Sequence, residues 1–112
     1  MRPLPNVAVA AACPPLLQGT GLAADEAERL AGALKVLAEP ARLRLLSLIQ
    51  AQPDGEAGVC HLPEPLGLAQ PTVSHHLKVL LQAGFVTRDQ RGSWAYYRVV
   101  PEALAALRGV LA

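Results

Sequence analysis

The sequence predicts a mainly α-helical fold with a β-hairpin wing, that is, a homodimeric winged helix-turn-helix. Hydrophobic residues make up 52% of the 112 residues and aromatic residues only 4%, which favours packed helices over a large sheet. A glycine-containing turn at residues 66–69 precedes an amphipathic segment at 70–82, the order found in a helix-turn-helix. Two β-rich runs, residues 85–88 and 93–100, follow at once and form the predicted wing.

Two helices are expected before this motif. The first spans residues 25–38, with Asp25 as its N-cap and Glu28 completing a capping box. Pro40 ends that helix and suits the first turn of the second, residues 41–51. The apolar positions of the second helix are Leu43, Leu46 and Ile49.

Residues 70–82 are the predicted recognition helix, the one that enters the DNA major groove. Apolar residues recur there at the spacing that buries one face: Val73, Leu77, Leu80 and Leu81. The other positions carry side chains that can bond to bases or phosphates: Gln70, Thr72, Ser74, His75 and Lys78. His76 lies nearer the buried flank, so we expect it to pack against the domain.

The two β-rich runs are separated by residues 89–92, which read as a hairpin turn. Arg91 then stands near the tip of the wing, where a basic side chain can enter the minor groove. The alternative is a solvated turn arginine that makes no DNA contact.

A last helix is expected from Pro101 to the end of the sequence, with apolar residues at i, i+3 and i+7: Leu104, Leu107 and Leu111. An uncovered apolar helix face in so small a domain favours a dimer seam, shared with the first helix. A two-fold dimer would place two recognition helices about 34 Å apart and so predicts a palindromic operator.

Charge and composition define two regions, an N-terminal arm at residues 1–24 that carries Cys13 and a DNA-binding and dimerisation domain at 25–112. Residues 1–65 have five basic and seven acidic side chains, whereas residues 66–100 have four basic side chains and one acidic side chain. The positive charge therefore gathers on the recognition helix and the wing, as expected of a surface that meets a polyanion.

No apolar run reaches the roughly 18 residues of a membrane span, so we expect a cytoplasmic protein without a membrane partner. Residues 7–13 resemble the end of a lipoprotein signal, but the run is short and Arg2 is the one early positive charge, which favours a plain arm. In the cytoplasm the two cysteines, Cys13 and Cys60, stay reduced, so we interpret them as metal ligands or redox-active groups. A catalytic triad, a phosphate-binding glycine loop and a carboxylate pair are all missing from the sequence, which argues against an enzyme and gives no sign of an organic cofactor.

Two stretches, residues 34–46 and 59–80, strongly resemble the ArsR/SmtB (arsenic repressor) family, and the Ser74-His75-His76-Leu77 core is a specific motif. The resemblance covers residues 25–112. It implies a homodimeric winged-helix repressor that binds double-stranded operator DNA and leaves it when a toxic metal or metalloid binds. It also implies DNA contacts at the positions matching Gln70, Thr72, Ser74, His75 and Lys78. Relatives often have Ser where this chain has Ala69.

The resemblance also bears on the two thiols. Many arsenic sensors of the family carry Cys-x-Cys at the short helix, and here Gly58 takes the place of the first cysteine while Cys60 keeps the second. Cys13 on the arm is then the second thiol. Soft thiolates select trivalent arsenic, inorganic or organic, and two of them suit an organoarsenical whose remaining valence is a carbon bond. Two alternatives remain open: a redox or reactive-sulfur sensor that forms a Cys13–Cys60 disulfide, and a sensor of Cd(II), Pb(II) or Zn(II) that adds His61.

Overall fold

The computed structural model describes residues 15–17 and 19–111. The helices and strands are α1 (Ala24–Leu37), α2 (Pro40–Ala51), β1 (Glu56–Gly58), α3 (Pro63–Leu66), α4 (Gln70–Ala83), β2 (Val86–Arg91), β3 (Trp94–Val99) and α5 (Pro101–Leu111). Two 3₁₀ turns, Pro53–Gly55 and Val59–His61, flank β1. The predicted fold, mainly helical with a β-hairpin wing after a helix-turn-helix, is confirmed. Cys13 lies outside the described residues.

The start of α1 differs from the prediction. Its N-cap is Ala23, and the carboxylate of Glu26 accepts a hydrogen bond from the Ala23 backbone N–H at 2.8 Å. The predicted capping box of Asp25 and Glu28 is therefore wrong by two residues. Asp25 lies within the first turn, where its negative charge favours the helix N-terminus and lies 3.6 Å from Arg29.

The hydrophobic core lies between α2, α4 and the sheet. Leu45, Ile49, Leu77 and Leu80 are completely buried in it, and Phe85 after α4 is 2% exposed. The predicted apolar face of α2 needs one correction, because Leu43 is 52% exposed and Leu45 takes the buried position. No helix among residues 15–17 and 19–111 is long and apolar enough to cross a membrane.

The sheet is antiparallel, with β3 between β1 and β2. Strand β1 was not predicted; it is three residues long and pairs Ala57 with Tyr97. The wing turn is also shorter than predicted, since β2 continues to Arg91 and only Gly92 and Ser93 connect it to β3. Gly92 has a φ of 61°, as the first position of a tight two-residue hairpin turn requires.

Helix α5 packs one face on the domain and leaves another uncovered within the chain. Ala103, Leu107 and Val110 are buried, so the predicted open face that included Leu107 is wrong at that residue. Leu104 and Leu111 are 36% and 44% exposed. The open apolar stripe of α5 therefore consists of Leu104 and Leu111.

Candidate DNA-binding face and cysteine site

The turn between α3 and α4 fixes how the second helix leaves the first. Gly67 has a φ of 67°, a conformation that costs other residues more than glycine, and its N–H caps the end of α3. Leu66 is buried beneath this turn. Helix α4 then begins without a side-chain cap, because its N-cap residue is Ala69.

Helix α4 has one buried face and one open face. The buried side chains are Val73, Leu77, Leu80 and Ala83. All five residues predicted to contact DNA from this helix are exposed: Gln70, Thr72, Ser74, His75 and Lys78. The open face therefore offers amide, hydroxyl, imidazole and ammonium groups from a single rigid helix, the set that base edges and phosphates can bond to.

His76 holds α4 against the preceding helices. The Nε of Arg42, at the start of α2, donates a hydrogen bond to the Nδ1 of His76 at 3.2 Å, and Arg42 also donates to the carbonyl of Val36 at 3.1 Å. Partial burial lowers the pKa of His76 from its ordinary value, and the neighbouring Arg42 charge lowers it further. The neutral imidazole thus accepts one of the hydrogen bonds by which Arg42 links α1, α2 and α4. This agrees with the expected packing role of His76.

Arg91 lies at the end of β2, and acidic side chains surround its guanidinium. Its two terminal nitrogens donate to the two Glu56 carboxylate oxygens at 2.6 and 2.8 Å, and its Nε donates to Asp89 at 2.8 Å. The guanidinium carbon also lies 4.6 Å from the centre of the Tyr96 ring. The hydrogen bond from Arg91 lowers the pKa of Glu56, and Glu56 in turn raises the pKa of Arg91. A contact between Arg91 and the minor groove stays a prediction.

Cys60 is an exposed free thiol in the 3₁₀ turn that follows β1. Gly58 lies beside it: a Cβ added there would lie 3.9 Å from the Cys60 sulfur, 3.6 Å from the Tyr96 ring and 3.4 Å from the His61 ring. The described part of the chain contains no group of three or more His, Cys, Asp or Glu side chains able to hold a metal ion. Cys60 is the one cysteine within residues 15–17 and 19–111, and its role as a ligand stays a prediction.

The N-terminal segment approaches the domain at the end of α5. The Leu16 backbone N–H donates to the carbonyl of Val110 at 2.8 Å. Leu16 is 43% exposed and Leu17 83% exposed. This contact places Leu16 beside the end of α5.

Comparison with known proteins identifies the class. A family model described as "Bacterial regulatory protein, arsR family" matches residues 39–88. The arsenic resistance transcriptional regulator ArsR1 of Pseudomonas putida is 41% identical over 69% of this chain and 62% of its own length. The arsenical resistance operon repressor of Staphylococcus xylosus is 38% identical over 69% of this chain and 71% of its own length.

Solved structures agree with the sequence matches. The crystal structure of a possible transcriptional regulator for arsenical resistance is 39% identical, with a TM-score of 0.63, over 70% of this chain and 79% of that chain. The homodimeric winged helix-turn-helix domain of a possible ArsR-family regulator from Mycobacterium bovis is 26% identical, with a TM-score of 0.62, over 80% of this chain and 84% of that chain.

The helix-turn-helix, its open polar helix and the wing define a DNA-binding transcriptional regulator, and members of this class are not enzymes. The chain belongs to the arsR family of bacterial regulatory proteins.

Proposed function

We propose that this protein is a homodimeric transcriptional repressor that binds a palindromic operator and leaves it when trivalent arsenic binds Cys60 together with Cys13. The observation that carries the DNA part is the open face of α4, where five polar side chains stand opposite a fully buried apolar face. Residues 25–112 form the DNA-binding and dimerisation domain of this proposal, and residues 1–24 form the arm that supplies Cys13.

The dimer is supported by the apolar stripe on α5. Leu104 and Leu111 are exposed on one side of a helix whose other side is buried in the domain. Covering the stripe with a second copy removes this apolar surface from water and generates a two-fold axis. Two copies of α4 then face successive major grooves, about 34 Å apart, which explains the expected palindrome.

Within the DNA complex, the chemistry of each predicted contact residue decides which part of the DNA it can bond to. Gln70 reads adenine through its amide, and Thr72, Ser74 and His75 bond to bases or phosphates. Lys78 contacts a phosphate or guanine, and Arg91 on the wing enters the minor groove.

The DNA part is tested by fluorescence anisotropy with a labelled duplex from the upstream region of the protein's own gene. Lys78→Ala should weaken binding to all sequences and reduce the slope of log affinity against log salt by about 1, whereas Gln70→Ala should cost about 1–3 kcal/mol and relax specificity at one base pair. Lys35→Ala, an exposed lysine on α1, is the control. Equal binding of the wild type to operator and scrambled duplexes would contradict the proposal.

The arsenic part rests on the chemistry of the exposed thiol and on the relatives named for arsenical resistance. Thiolates bind As(III) strongly, and a bis-thiolate site leaves one arsenic valence for a carbon substituent or a hydroxyl. Native mass spectrometry with phenylarsenite should show one arsenic per protomer in the wild type and loss of binding in Cys13→Ser and in Cys60→Ser. His61→Ala should keep the arsenical but would lose Cd(II) or Zn(II) if the site were a divalent-metal site.

A second candidate, a thiol redox or reactive-sulfur sensor, is favoured by the same exposure of Cys60. An accessible thiol reacts with oxidants and persulfides, and a second cysteine can resolve the product into a disulfide. If a persulfide released the operator and left a Cys13–Cys60 disulfide while arsenicals had no effect, the redox function would replace the arsenic function.

A further inference from the structure

The wing arginine is held by a carboxylate from a distant part of the chain. Glu56 lies on β1, 35 residues before Arg91, and its two oxygens accept both terminal N–H groups of that arginine at 2.6 and 2.8 Å. The Glu56 side chain is only 18% exposed, whereas that of Arg91 is 46% exposed. A partly covered carboxylate that meets a guanidinium with both oxygens forms the stronger, geometrically specific kind of ion pair.

Two further side chains complete this cluster, which we call the wing clamp: Glu56, Asp89, Arg91 and Arg98. Arg98 donates to the second Glu56 oxygen at 2.9 Å and to the carbonyl of Asp54 at 2.8 Å. Asp89 accepts from the Arg91 Nε at 2.8 Å, and the Tyr96 ring covers one face of the same guanidinium. Two carboxylates thus meet two guanidinium groups, so the wing clamp has no formal net charge.

This neutrality changes the charge available to DNA. Lys78 on α4 and Arg88 on β2 form no ion pair within residues 15–17 and 19–111, and both are exposed. Arg91, by contrast, has three of its N–H groups directed at carboxylates. A phosphate that approaches Arg91 must therefore compete with Glu56 for the same donors.

We propose that Glu56 is an internal counter-ion that withholds Arg91 from DNA and so lowers the operator affinity of the wing. This inference rests on the proposed DNA-binding function and adds a residue on β1, outside the recognition helix, that opposes DNA binding through Arg91. Arg91 enters the minor groove only when its bonds to Glu56 open, and part of the binding free energy is spent on opening them. Arg98 then keeps Glu56 paired, because it already shares one of the Glu56 oxygens.

The test is operator binding by Glu56→Gln, measured over a range of salt concentrations. Removing the counter-ion should tighten binding by about 2- to 5-fold, the range expected from releasing an exposed ion pair. It should also steepen the slope of log affinity against log salt by up to about 0.9, because Arg91 without its carboxylate acts as one more free cation that displaces counter-ions from the DNA. Glu64→Gln is the matched control, since Glu64 is exposed and forms no ion pair within the described residues.

The double variant Glu56→Gln/Arg91→Ala separates the wing clamp from a general charge effect. If Glu56 acts through Arg91, Glu56→Gln should bring no gain in affinity once Arg91 is alanine. The double variant should then bind as Arg91→Ala alone does. A Glu56→Gln protein that binds no more tightly than Glu64→Gln, or whose gain survives loss of Arg91, would overturn the inference. Weaker binding would also overturn it, because Glu56 would then hold Arg91 in its binding position.

Two features of the experiment keep its outcomes distinct. Glu56→Asp retains the charge and the β1 backbone pairing but shortens the side chain. It should therefore tighten operator binding less than Glu56→Gln does. It also tests the inference if the Gln variant does not fold. Failure of the wild type to bind its operator would refute the proposed function itself, whereas failure of the wing clamp shows only as a missing difference between variants of a protein that binds DNA.

Discussion

Arg42 and His76 lie 34 residues apart in sequence, and the Arg42 Nε donates a 3.2 Å hydrogen bond to the His76 Nδ1. The bond requires the neutral imidazole, because a protonated Nδ1 has no lone pair to accept with. It joins the start of α2 to the recognition helix α4. The protonation of one histidine therefore bears on how firmly α4, the proposed recognition helix, is held.

Acidification should weaken the fold through His76. Its pKa in the folded protein is below the ordinary value of 6.5, mainly because of burial, so the unfolded chain takes up the proton at higher pH. The stabilising contribution is complete above about pH 6.5 and is lost as the pH falls through the lowered pKa. Melting temperatures between pH 7.5 and 5 should fall in the wild type and fall less in His76→Gln, which still accepts from Arg42 but does not titrate. His75→Gln, a substitution of the exposed neighbouring histidine, is the control and should show the same fall in melting temperature as the wild type.

A serine at position 69 should stabilise the protein. Ala69 has the extended backbone of an N-cap but no side chain to accept from the first free N–H groups of α4. Ala69→Ser supplies that acceptor and should raise the unfolding free energy by about 0.5–1 kcal/mol, measured by urea titration. Ala31→Ser, in the exposed middle of α1, should change stability by a similar or smaller amount with the opposite sign. A stabilising effect at both sites would refute the capping explanation.

A cysteine at position 58 should create a local arsenic site that does not need the arm. Gly58 has a φ of −74°, which any residue adopts, and an added Cβ meets only ordinary contacts, including the Cys60 sulfur at 3.9 Å. In a Cys13→Ser background, Gly58→Cys should restore release of the operator by trivalent arsenicals. Gly58→Ser in the same background should not respond. No response from the cysteine variant would show that two thiols at this turn are insufficient for sensing.

A charge on the open stripe of α5 should break the dimer. Leu104 is exposed in the chain but would be buried in the proposed dimer, so Leu104→Glu places an unpaired carboxylate in an apolar seam. Sedimentation velocity should show a dissociation constant raised at least about 10-fold, the equivalent of about 1.4 kcal/mol. Leu43→Glu, at an exposed leucine of α2, should leave association unchanged. Unchanged association in Leu104→Glu would move the dimer contact elsewhere.

The elements that the sequence predicted well carry local signals. Helix α4 has a regular buried face, a proline in its first turn and Gly84 at its end, so its bounds differ from the prediction by one residue. The predictions were wrong where contacts with residues distant in the sequence determine the secondary structure. Strand β1 is too short to show a period of its own and exists because it pairs with β3 about 40 residues later. Residues 89–91 have polar side chains typical of a turn, yet pairing with β3 extends β2 through them.

The candidate site follows the same division. Local helical spacing was enough to predict that the five polar residues of α4 are exposed and that His76 faces the domain. Summing charge by segment missed the wing clamp, because Glu56 lies outside the basic region and reaches Arg91 only through the β1–β3 pairing. One sequence signal was available, since a carboxylate in the segment before an arginine-rich hairpin is a candidate partner for its arginines.

The central claim is that an arsenical bound at Cys60 ends operator binding, and one titration tests it most directly. Phenylarsenite is added to the complex of the wild-type protein with its operator, and to the same complex of Cys60→Ser, while anisotropy reports bound DNA. The wild type should leave the operator near one equivalent of arsenical per protomer, whereas Cys60→Ser should stay bound at the same concentrations. Release of both proteins at equal arsenical concentrations, or of neither, would contradict it.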